Sequence, residues 1–209
     1  MKSFHTEGEL EAGVDEAGRG PLLGRVYAGA VIWDPNFDES LLPYPIKDSK
    51  KITKKRRKIL KDFIIEHAIA YGVGYSDEKE IDEVNILNAT MEGMEKCIDN
   101  ITSVINVDRL LVDGNHFPTY MDKSTFDFIA HICIPGGDDK YLNIAAASIL
   151  AKEYHDEYII NLCKENSILD NYDIKNNKGY GTKSHMEALK EYGPTEYHRK
   201  SFKPCLMKK

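Results

Sequence analysis

The sequence predicts an α/β fold in which a central sheet carries helices on both faces. Short apolar segments rich in β-branched and aromatic residues alternate along the chain with longer segments whose apolar residues recur every three or four positions. Strands that alternate with helices in this way assemble into a helix-covered sheet. The length of 209 residues and a hydrophobic content of 42% favour one globular domain over a disordered chain.

Five short segments have the composition and length of strands. Each is apolar, and each ends at glycine, proline or a polar residue that interrupts the run. The predicted strands are 10–14, 25–33, 71–75, 109–112 and 128–134. Residues 34–48, which follow the second strand, contain three prolines and are predicted to form a loop.

Four longer segments have the periodicity or the capping residues of helices. They are predicted at 53–70, 86–101, 142–164 and 184–192. Thr53 is predicted to cap the first helix, and the alanine run at 145–147 makes the third narrow enough to lie close against a sheet. After Asn166 the composition turns polar and then basic, with a loop expected at 176–179. The end of the chain is therefore predicted to be a C-terminal helical appendage.

Several functional classes are excluded by what the sequence lacks. No apolar run approaches the roughly 18 residues that span a bilayer, and the first residues lack a secretory signal, so we expect a cytoplasmic protein. The four cysteines show no metal-ligand spacing and are expected to be buried, reduced thiols. There is no histidine pair at one-turn spacing and no GxSxG turn, so neither a zinc site nor a nucleophilic triad is predicted.

Four acidic residues stand at or just beyond the ends of apolar segments. They are Asp15 and Glu16 after the first strand, Asp113 after the fourth, and Asp138 after a Gly-Gly loop. Each has a simpler explanation alone, because Asp is common in turns and at helix caps. Together they favour one shared site at the edge of the sheet. Because neighbouring strand residues point to opposite faces, Asp15 and Glu16 are expected to meet only if the backbone turns between them.

These carboxylates have the chemistry of a site for hard divalent cations. Clustered carboxylates repel one another and raise one another's pKa unless a cation is present. Oxygen ligands without His or Cys suit Mg²⁺ or Mn²⁺. Two such ions held about 4 Å apart can activate a water and stabilise the leaving oxygen in phosphodiester cleavage.

The glycine-rich loop at 18–24 superficially resembles a dinucleotide-binding loop. That fingerprint requires a helix to follow it, whereas here a strand is predicted. The glycines are better suited to exposing backbone N–H and C=O groups to a ligand that approaches closely, because glycine has no Cβ.

Five motifs resemble those of a known nuclease family. In chain order they are GVDEAGRGP at 13–21, DSKK at 48–51, LVDGN at 111–115, IAAASILAK at 144–152 and GYGT at 179–182. Together they resemble the type 2 ribonuclease H family, ribonuclease HII, over nearly the whole chain. Arg19 favours this type over ribonuclease HIII, in which Lys occupies that position.

The resemblance implies a ribonuclease H-like fold and a divalent-metal-dependent endoribonuclease acting on the RNA strand of RNA–DNA hybrids. It also implies cleavage 5′ to ribonucleotides embedded in duplex DNA, leaving 5′-phosphate and 3′-hydroxyl ends, as in removal of misincorporated ribonucleotides during replication and repair. One catalytic domain is expected over 1–209, with 167–209 as a C-terminal substrate-binding helical extension. The expected partners are a hybrid or a ribonucleotide-containing duplex, and the expected state is a monomer.

By the same resemblance, the four carboxylates Asp15, Glu16, Asp113 and Asp138 would be catalytic and would hold two Mg²⁺ or Mn²⁺ ions. Family members usually carry a Lys two positions before the fourth carboxylate, which this chain lacks, and Asp139 adjoins Asp138. The distance to the alanine run favours Asp138. The family also usually has Arg where this chain has His155.

The resemblance further implies substrate-binding residues. Gly18, Arg19 and Gly20 would read the ribose 2′-OH through backbone groups, which suits a hydroxyl that both donates and accepts hydrogen bonds. Tyr180 would pack against the sugar that follows the ribonucleotide. Lys50 would contact a phosphate.

The net charge of −6 argues at first against a polyanionic partner. However, the segment 50–61 contains eight basic residues and no acidic one, and 175–209 contains nine basic and three acidic residues. Although a basic helix is usually only a solvated surface, both segments adjoin family motifs. We therefore expect them to contact a duplex on either side of the metal site.

Two other functional classes stay open. One is a nucleic-acid binder on the same fold that has lost catalysis, which divalent-dependent cleavage would exclude. The other is a carboxylate-dependent DNA nuclease or integrase-like enzyme, for which removal of a single 2′-OH would not abolish cleavage.

Overall fold

A computed structural model describes residues 1–46 and 52–206 of the chain. Its centre is a six-stranded sheet of mixed direction in the order β3-β2-β1-β4-β6-β5. The strands are β1 (Glu11–Ala17), β2 (Val26–Ile32), β3 (Ala70–Ser76), β4 (Arg109–Asp113), β5 (Tyr120–Met121) and β6 (Phe128–Ile134). β1 pairs antiparallel with β2 and parallel with β4, so the direction changes at the middle of the sheet.

Helices cover both faces of the sheet. In the described part of the chain they are α1 (Lys54–His67), α2 (Glu78–Thr102), α3 (Leu142–Glu165), α4 (Ile174–Asn177) and α5 (Lys183–Tyr192). One apolar core lies between α2 and the sheet, and another lies between the sheet and the pair α1 and α3. The predicted α/β class with helices on both faces is confirmed. None of the helices described is long and apolar enough to cross a membrane.

Alternation along β1 assigns its residues to the two faces. Ala12 and Val14 are buried in the core beneath α2. Gly13 faces α3, where a Cβ on this residue would lie 2.3 Å from the helix backbone. In β2, a Cβ on Gly29 would lie 2.6 Å from the carbonyl oxygen of Ala147. The predicted close approach of the alanine run to the sheet is therefore confirmed, and it depends on glycine in both strands.

All five predicted strands and all four predicted helices occur, with several changes at their ends. β1 continues without a turn through Asp15 and Glu16 to Ala17, which still pairs with Tyr27 of β2. The expected turn between the two acids is therefore wrong. Thr53 occupies the N-cap position of α1, but its side chain makes no capping hydrogen bond.

The second helix begins at Glu78 instead of at residue 86. It consists of two parts, each with its own N-terminal cap. Asp77 and Glu80 form a reciprocal capping box at its start. Asn85 then leaves the helix, with φ of 70°, and its side chain accepts from the amides of Leu87 and Asn88 to restart it. The expected loop at 176–179 also begins inside a single helical turn, α4.

The C-terminal segment packs on the body of the protein through its own apolar core. Buried residues of this segment, including Leu169 and Tyr172, contact Ile159 and Leu162 on the last turns of α3. Leu22 and Leu23, from the loop between β1 and β2, complete the same cluster. This core ties the C-terminal segment to the glycine-rich loop.

The four cysteines are free thiols, as predicted. Cys97, Cys163 and Cys205 are buried, whereas Cys133 is half-buried. Burial raises the pKa of all four, so their thiols stay protonated at neutral pH.

Candidate active site

A cleft of about 490 Å³ lies at the carboxyl ends of β1 and β4. It is lined by eight residues that the sequence singles out: Asp15, Glu16, Gly18, Arg19, Gly20, Asp113, Asp138 and Tyr180. Ala17, Gly136, Ser148 and Lys152 complete the lining. Lys50, the predicted phosphate contact, lies outside the described residues.

The register of the sheet places the first and third carboxylates side by side. Val14 of β1 pairs with Val112 of the parallel strand β4. Asp15 and Asp113 are the next residues along each strand and point to the α3 face, because parallel partners share a face. Asp15 is 5% exposed, and the hydroxyl of Ser148 on α3 hydrogen-bonds to it.

Glu16 enters the same cleft without a turn in the backbone. The β1–β4 ladder ends at Val14, so the neighbouring strand does not cover Glu16 on that side. Its carboxylate forms an ion pair with Arg19, at 3.1 Å. A side chain at an open sheet end can therefore join its neighbour's site despite strand alternation.

Backbone geometry around Gly136 brings in the fourth carboxylate. Gly136 has the left-handed φ of 63°, after which a single 3-10 turn carries Asp138 into the cleft. The amide of Gly137 donates to Asp113 Oδ1 at 2.7 Å and ties this turn to β4. Asp139 is exposed and is not part of the lining, which supports the choice of Asp138.

The electrostatics of the cleft favour a bound cation. Burial raises the pKa of Asp15 well above its ordinary value, and repulsion from Glu16 and Asp113 raises it further. Burial also raises the pKa of Glu16, and Asp113 adds to the effect, whereas Arg19 opposes it. Ionisation of both acids is therefore unfavourable unless a positive ion is bound beside them.

The donor set fits Mg²⁺ or Mn²⁺, because it consists of carboxylate oxygens with no His or Cys. Within residues 1–46 and 52–206, no group of three or more His, Cys, Asp or Glu side chains is already arranged around a single metal position. In this arrangement the Glu16 carboxylate pairs with Arg19, and the Asp113 carboxylate accepts from the amide of Gly137.

The glycine loop packs against two rings. Gly18 has φ of 91°, and a Cβ there would lie 2.5 Å from the ring of His155. A Cβ on Gly20 would lie 3.2 Å from the ring of Tyr180. Glycine at both positions therefore allows the loop backbone itself to form the wall of the cleft.

A chain of hydrogen bonds supports Tyr180 from behind. Thr195 N–H donates to His198 Nδ1 at 3.0 Å, and the two Nε2 atoms of His198 and His185 lie 2.9 Å apart. His185 Nδ1 lies 3.0 Å from the carbonyl oxygen of Tyr180. One tautomer assignment satisfies the chain, with both imidazoles neutral, and burial lowers the pKa of both histidines.

Two cleft-side features were not assigned from the sequence. Lys152 lines the cleft and its Nζ pairs with Asp156 at 2.8 Å. Burial opposes ionisation of Asp156, but hydrogen bonds from His155 and Lys152 lower its pKa to about 2. Arg57, on the basic helix α1, also pairs with Asp156 at 3.1 Å. The spacing of Lys152 and Asp156 by one helical turn was the available sequence signal.

The second such feature is Arg199, which is fully buried behind the glycine loop. The four hydrogen bonds of its side chain all go to backbone carbonyls of that loop. No residue spacing could reveal this arrangement, because the acceptors are backbone atoms about 180 positions away.

Comparisons with known proteins show which family the chain resembles. The family model described as Ribonuclease HII matches residues 12–205. The chain is 46% identical over 193 residues to Ribonuclease HII of Phocaeicola vulgatus, covering 92% of this chain and 89% of that protein. It is 45% identical over 203 residues to Ribonuclease HII of Christiangramia forsetii, covering 97% and 95%.

A solved structure shares the fold. The crystal structure of the ribonuclease H2 from Pyrococcus horikoshii superposes with a TM-score of 0.73 and 27% identity, covering 93% of this chain and 94% of that one. The chain belongs to the ribonuclease HII family, whose members are ribonuclease H endonucleases that hydrolyse the RNA of RNA–DNA hybrids.

Proposed function

We propose that this endonuclease cuts 5′ to single ribonucleotides embedded in duplex DNA as well as within longer hybrids, leaving 5′-phosphate and 3′-hydroxyl ends. One observation carries the proposal: four carboxylates, a glycine loop and a tyrosine line a single cleft. The carboxylates suit phosphodiester hydrolysis, and the loop suits recognition of one hydroxyl. The biological role that follows is removal of misincorporated ribonucleotides during replication and repair.

Asp15, Glu16, Asp113 and Asp138 would hold two divalent cations, Mg²⁺ or Mn²⁺. When bound, such ions supply an activated water and neutralise charge on the leaving oxygen. The protein contributes placement: Ser148 orients Asp15, and the Gly137 amide orients Asp113. Arg19 holds Glu16 at the mouth of the cleft.

Substrate selection would depend on Gly18, Arg19, Gly20 and Tyr180. Backbone groups at 18–20 can contact a 2′-OH because no Cβ keeps a sugar away at the two glycines. Tyr180 packs beside Gly20 and is 42% exposed, so its ring is available to the next sugar. The segment 167–209 would bind the duplex beside this ring, and Lys50 would contact a phosphate.

Neutralising a cleft carboxylate tests the proposal. Asp113→Asn and Asp138→Asn should each lower kcat on a duplex with one ribonucleotide by at least about a hundredfold, because a metal ligand supplies several kcal/mol to the transition state. Asp139→Asn is the matched control, since Asp139 adjoins Asp138 and lies outside the cleft lining. Near-normal cleavage by folded Asp113→Asn would contradict the metal assignment.

The substrate pair and the metal test the alternatives. A non-catalytic binder would cut nothing with Mg²⁺ or Mn²⁺ present. A DNA nuclease would cut an all-DNA duplex of the same sequence as readily as the ribonucleotide-containing one. We expect cleavage of the ribonucleotide-containing duplex only, and only when a divalent metal is present.

A further inference from the structure

Arg199 is a buried cation whose side-chain hydrogen bonds all go to backbone carbonyls, while its guanidinium also lies over the ring of Phe202, 5.2 Å from the ring centroid. Its guanidinium donates to the carbonyl oxygens of Gly18 at 2.6 Å, Arg19 at 3.0 Å, Pro21 at 2.7 Å and Gly24 at 2.8 Å. It forms no ion pair with any carboxylate in the described part of the chain. Burial lowers its pKa to about 10, so the side chain remains charged at neutral pH.

A buried charge without a carboxylate partner lowers the stability of a protein, so stability alone does not explain why an arginine lies here. Transfer of an ion out of water is strongly unfavourable unless hydrogen bonds compensate for it. An apolar side chain of similar volume could fill the same space without that cost. The five donors of a guanidinium, fixed in one plane, can however hold several carbonyls in one orientation.

The orientation of these carbonyls determines where the loop amides point. Every peptide in the described chain is trans, so a carbonyl and the following N–H of the same peptide point in opposite directions. Since the carbonyls of Gly18 and Arg19 point to Arg199, the amides of Arg19 and Gly20 point away from it. Neither amide donates a hydrogen bond to another residue that the structure describes.

The Pro21–Leu22 peptide of the same loop has the same polarity, and the acceptor of its amide is visible. The carbonyl of Pro21 points to Arg199, and the amide of Leu22 on that peptide donates to the carbonyl of Gly179 at 2.7 Å. Gly179 precedes Tyr180 in the chain. In return, the amide of Arg199 donates to the carbonyl of Leu22 at 2.9 Å. The Pro21–Leu22 peptide thus lies between the Arg199 side chain and the segment that carries Tyr180.

We propose that Arg199 is a positioning residue that orients the 18–20 peptides so that the amides of Arg19 and Gly20 donate to the ribose 2′-oxygen. The inference rests on the proposed recognition of a ribonucleotide by this loop. It assigns the source of the loop's selectivity to a side chain that does not itself line the cleft.

The test measures binding to two duplexes of identical sequence, one all-DNA and one with a single ribonucleotide, with Ca²⁺ replacing Mg²⁺ to slow cleavage. Arg199→Lys and Arg199→Met should reduce the wild-type preference for the ribonucleotide about fivefold to tenfold, the effect of losing one or two neutral hydrogen bonds. Lysine should not restore the preference, because one ammonium cannot orient four carbonyls. Lys79→Met, at an exposed lysine outside both the cleft lining and the segment 167–209, should leave the ratio unchanged.

A second measurement needs no variant. In ¹⁵N-labelled wild-type protein, the amide resonances of Arg19 and Gly20 should shift with the ribonucleotide duplex and not with the all-DNA duplex. Unmoved amides, or an undiminished ratio in a folded Arg199 variant, would overturn the inference. A wild-type protein that bound both duplexes equally would instead overturn the proposed function.

Discussion

Asp15 is held where its own charge is disfavoured. The side chain is almost fully buried, and burial together with the charges of Glu16 and Asp113 raises its pKa. Hydrogen bonds from Ser148 and from the amide of Glu16 only partly offset this effect. A residue that lowers stability in the metal-free protein is what a cation-binding role requires, because the cation then supplies the missing compensation.

Asp15→Asn should therefore stabilise the metal-free protein. We expect the free energy of unfolding in urea with EDTA to rise by about 1 kcal/mol near pH 8, since the amide keeps hydrogen bonds and removes the buried charge. A carboxyl whose pKa is raised in the folded state stabilises the protein as pH falls through that pKa, so the advantage of the variant should shrink toward pH 5.

Metal addition provides the complementary measurement for this variant. Mg²⁺ should increase the unfolding free energy of the wild-type protein, because a ligand that binds only the folded state stabilises it. The Asp15→Asn variant should show little of this increase. A variant that is less stable than wild type at pH 8, or equally stabilised by Mg²⁺, would argue against a charge-strained metal ligand.

The site residues could be predicted where neighbouring residues in the sequence mark them. The four acids, Asp15, Glu16, Asp113 and Asp138, stand at or just beyond the ends of apolar segments, and the structure places all four in one cleft. The contact between Arg199 and the loop was not predictable, since backbone acceptors leave no residue signature. The entry of Glu16 into the cleft also needed the structure, because it depends on where the β1–β4 ladder ends.

The sequence pattern predicted the presence of each strand and helix more accurately than the residues at which it begins and ends. Helix α2 was predicted only from 86 onward, because Asn85 breaks the backbone and shifts the apolar periodicity. The first turns of α2 carry an acidic capping box, and Ile81 is the one buried side chain at 78–84, which is too few to show a helical periodicity. Strand β1 was predicted to end too early, because the acids at its end interrupt the apolar run although pairing with β2 continues.

The close packing of β2 against α3 predicts that Gly29, which lies outside the cleft lining, is needed for stability. Gly29→Ala should lower the unfolding free energy by about 3 kcal/mol, because the new Cβ would meet the Ala147 carbonyl oxygen at 2.6 Å and two backbones would have to separate. Urea denaturation with an unchanged m-value measures it.

Gly93→Ala is the matched control within a helix. A Cβ there meets nothing closer than 3.8 Å, and alanine favours a helix over glycine by about 1 kcal/mol. This variant should be as stable as wild type or more so. If Gly29→Ala were equally well tolerated, the close approach of α3 to the sheet would not be the reason for glycine in β2.

Across the whole molecule, the basic residues of α1 serve two different purposes. Arg57 and Lys61 are buried and pair with carboxylates of α3, so they join helices and are not available to a duplex. The exposed basic residues of this helix are Lys54, Lys55, Arg56 and Lys58. The count of positive charge in the sequence therefore overstates what this segment can offer to a phosphate backbone.

Lys54 of the first basic segment and Lys178 of the second nevertheless lie close enough to interact electrostatically. Burial lowers the pKa of Lys178, and the positive charges of Lys54 on α1 and Lys152 in the cleft lower it further, while Asp156 opposes them. Like charges brought together from three segments are unfavourable by themselves and become favourable against phosphate. The net negative charge of the molecule thus conceals a local positive surface.

This surface predicts how binding depends on salt. Affinity for a hybrid duplex should fall with ionic strength, and each lost phosphate contact should reduce the slope of log Kobs against log[salt] by about 0.9. The double variant Lys54→Met/Lys178→Met loses two such contacts, so the magnitude of its slope should be smaller by about 1.8. Lys123→Met is the matched control, because Lys123 pairs with Asp99 near the start of β6, at the other end of the sheet. An unchanged slope in the double variant, or an equal reduction in the control, would mean that the duplex does not follow the basic surface beside the cleft.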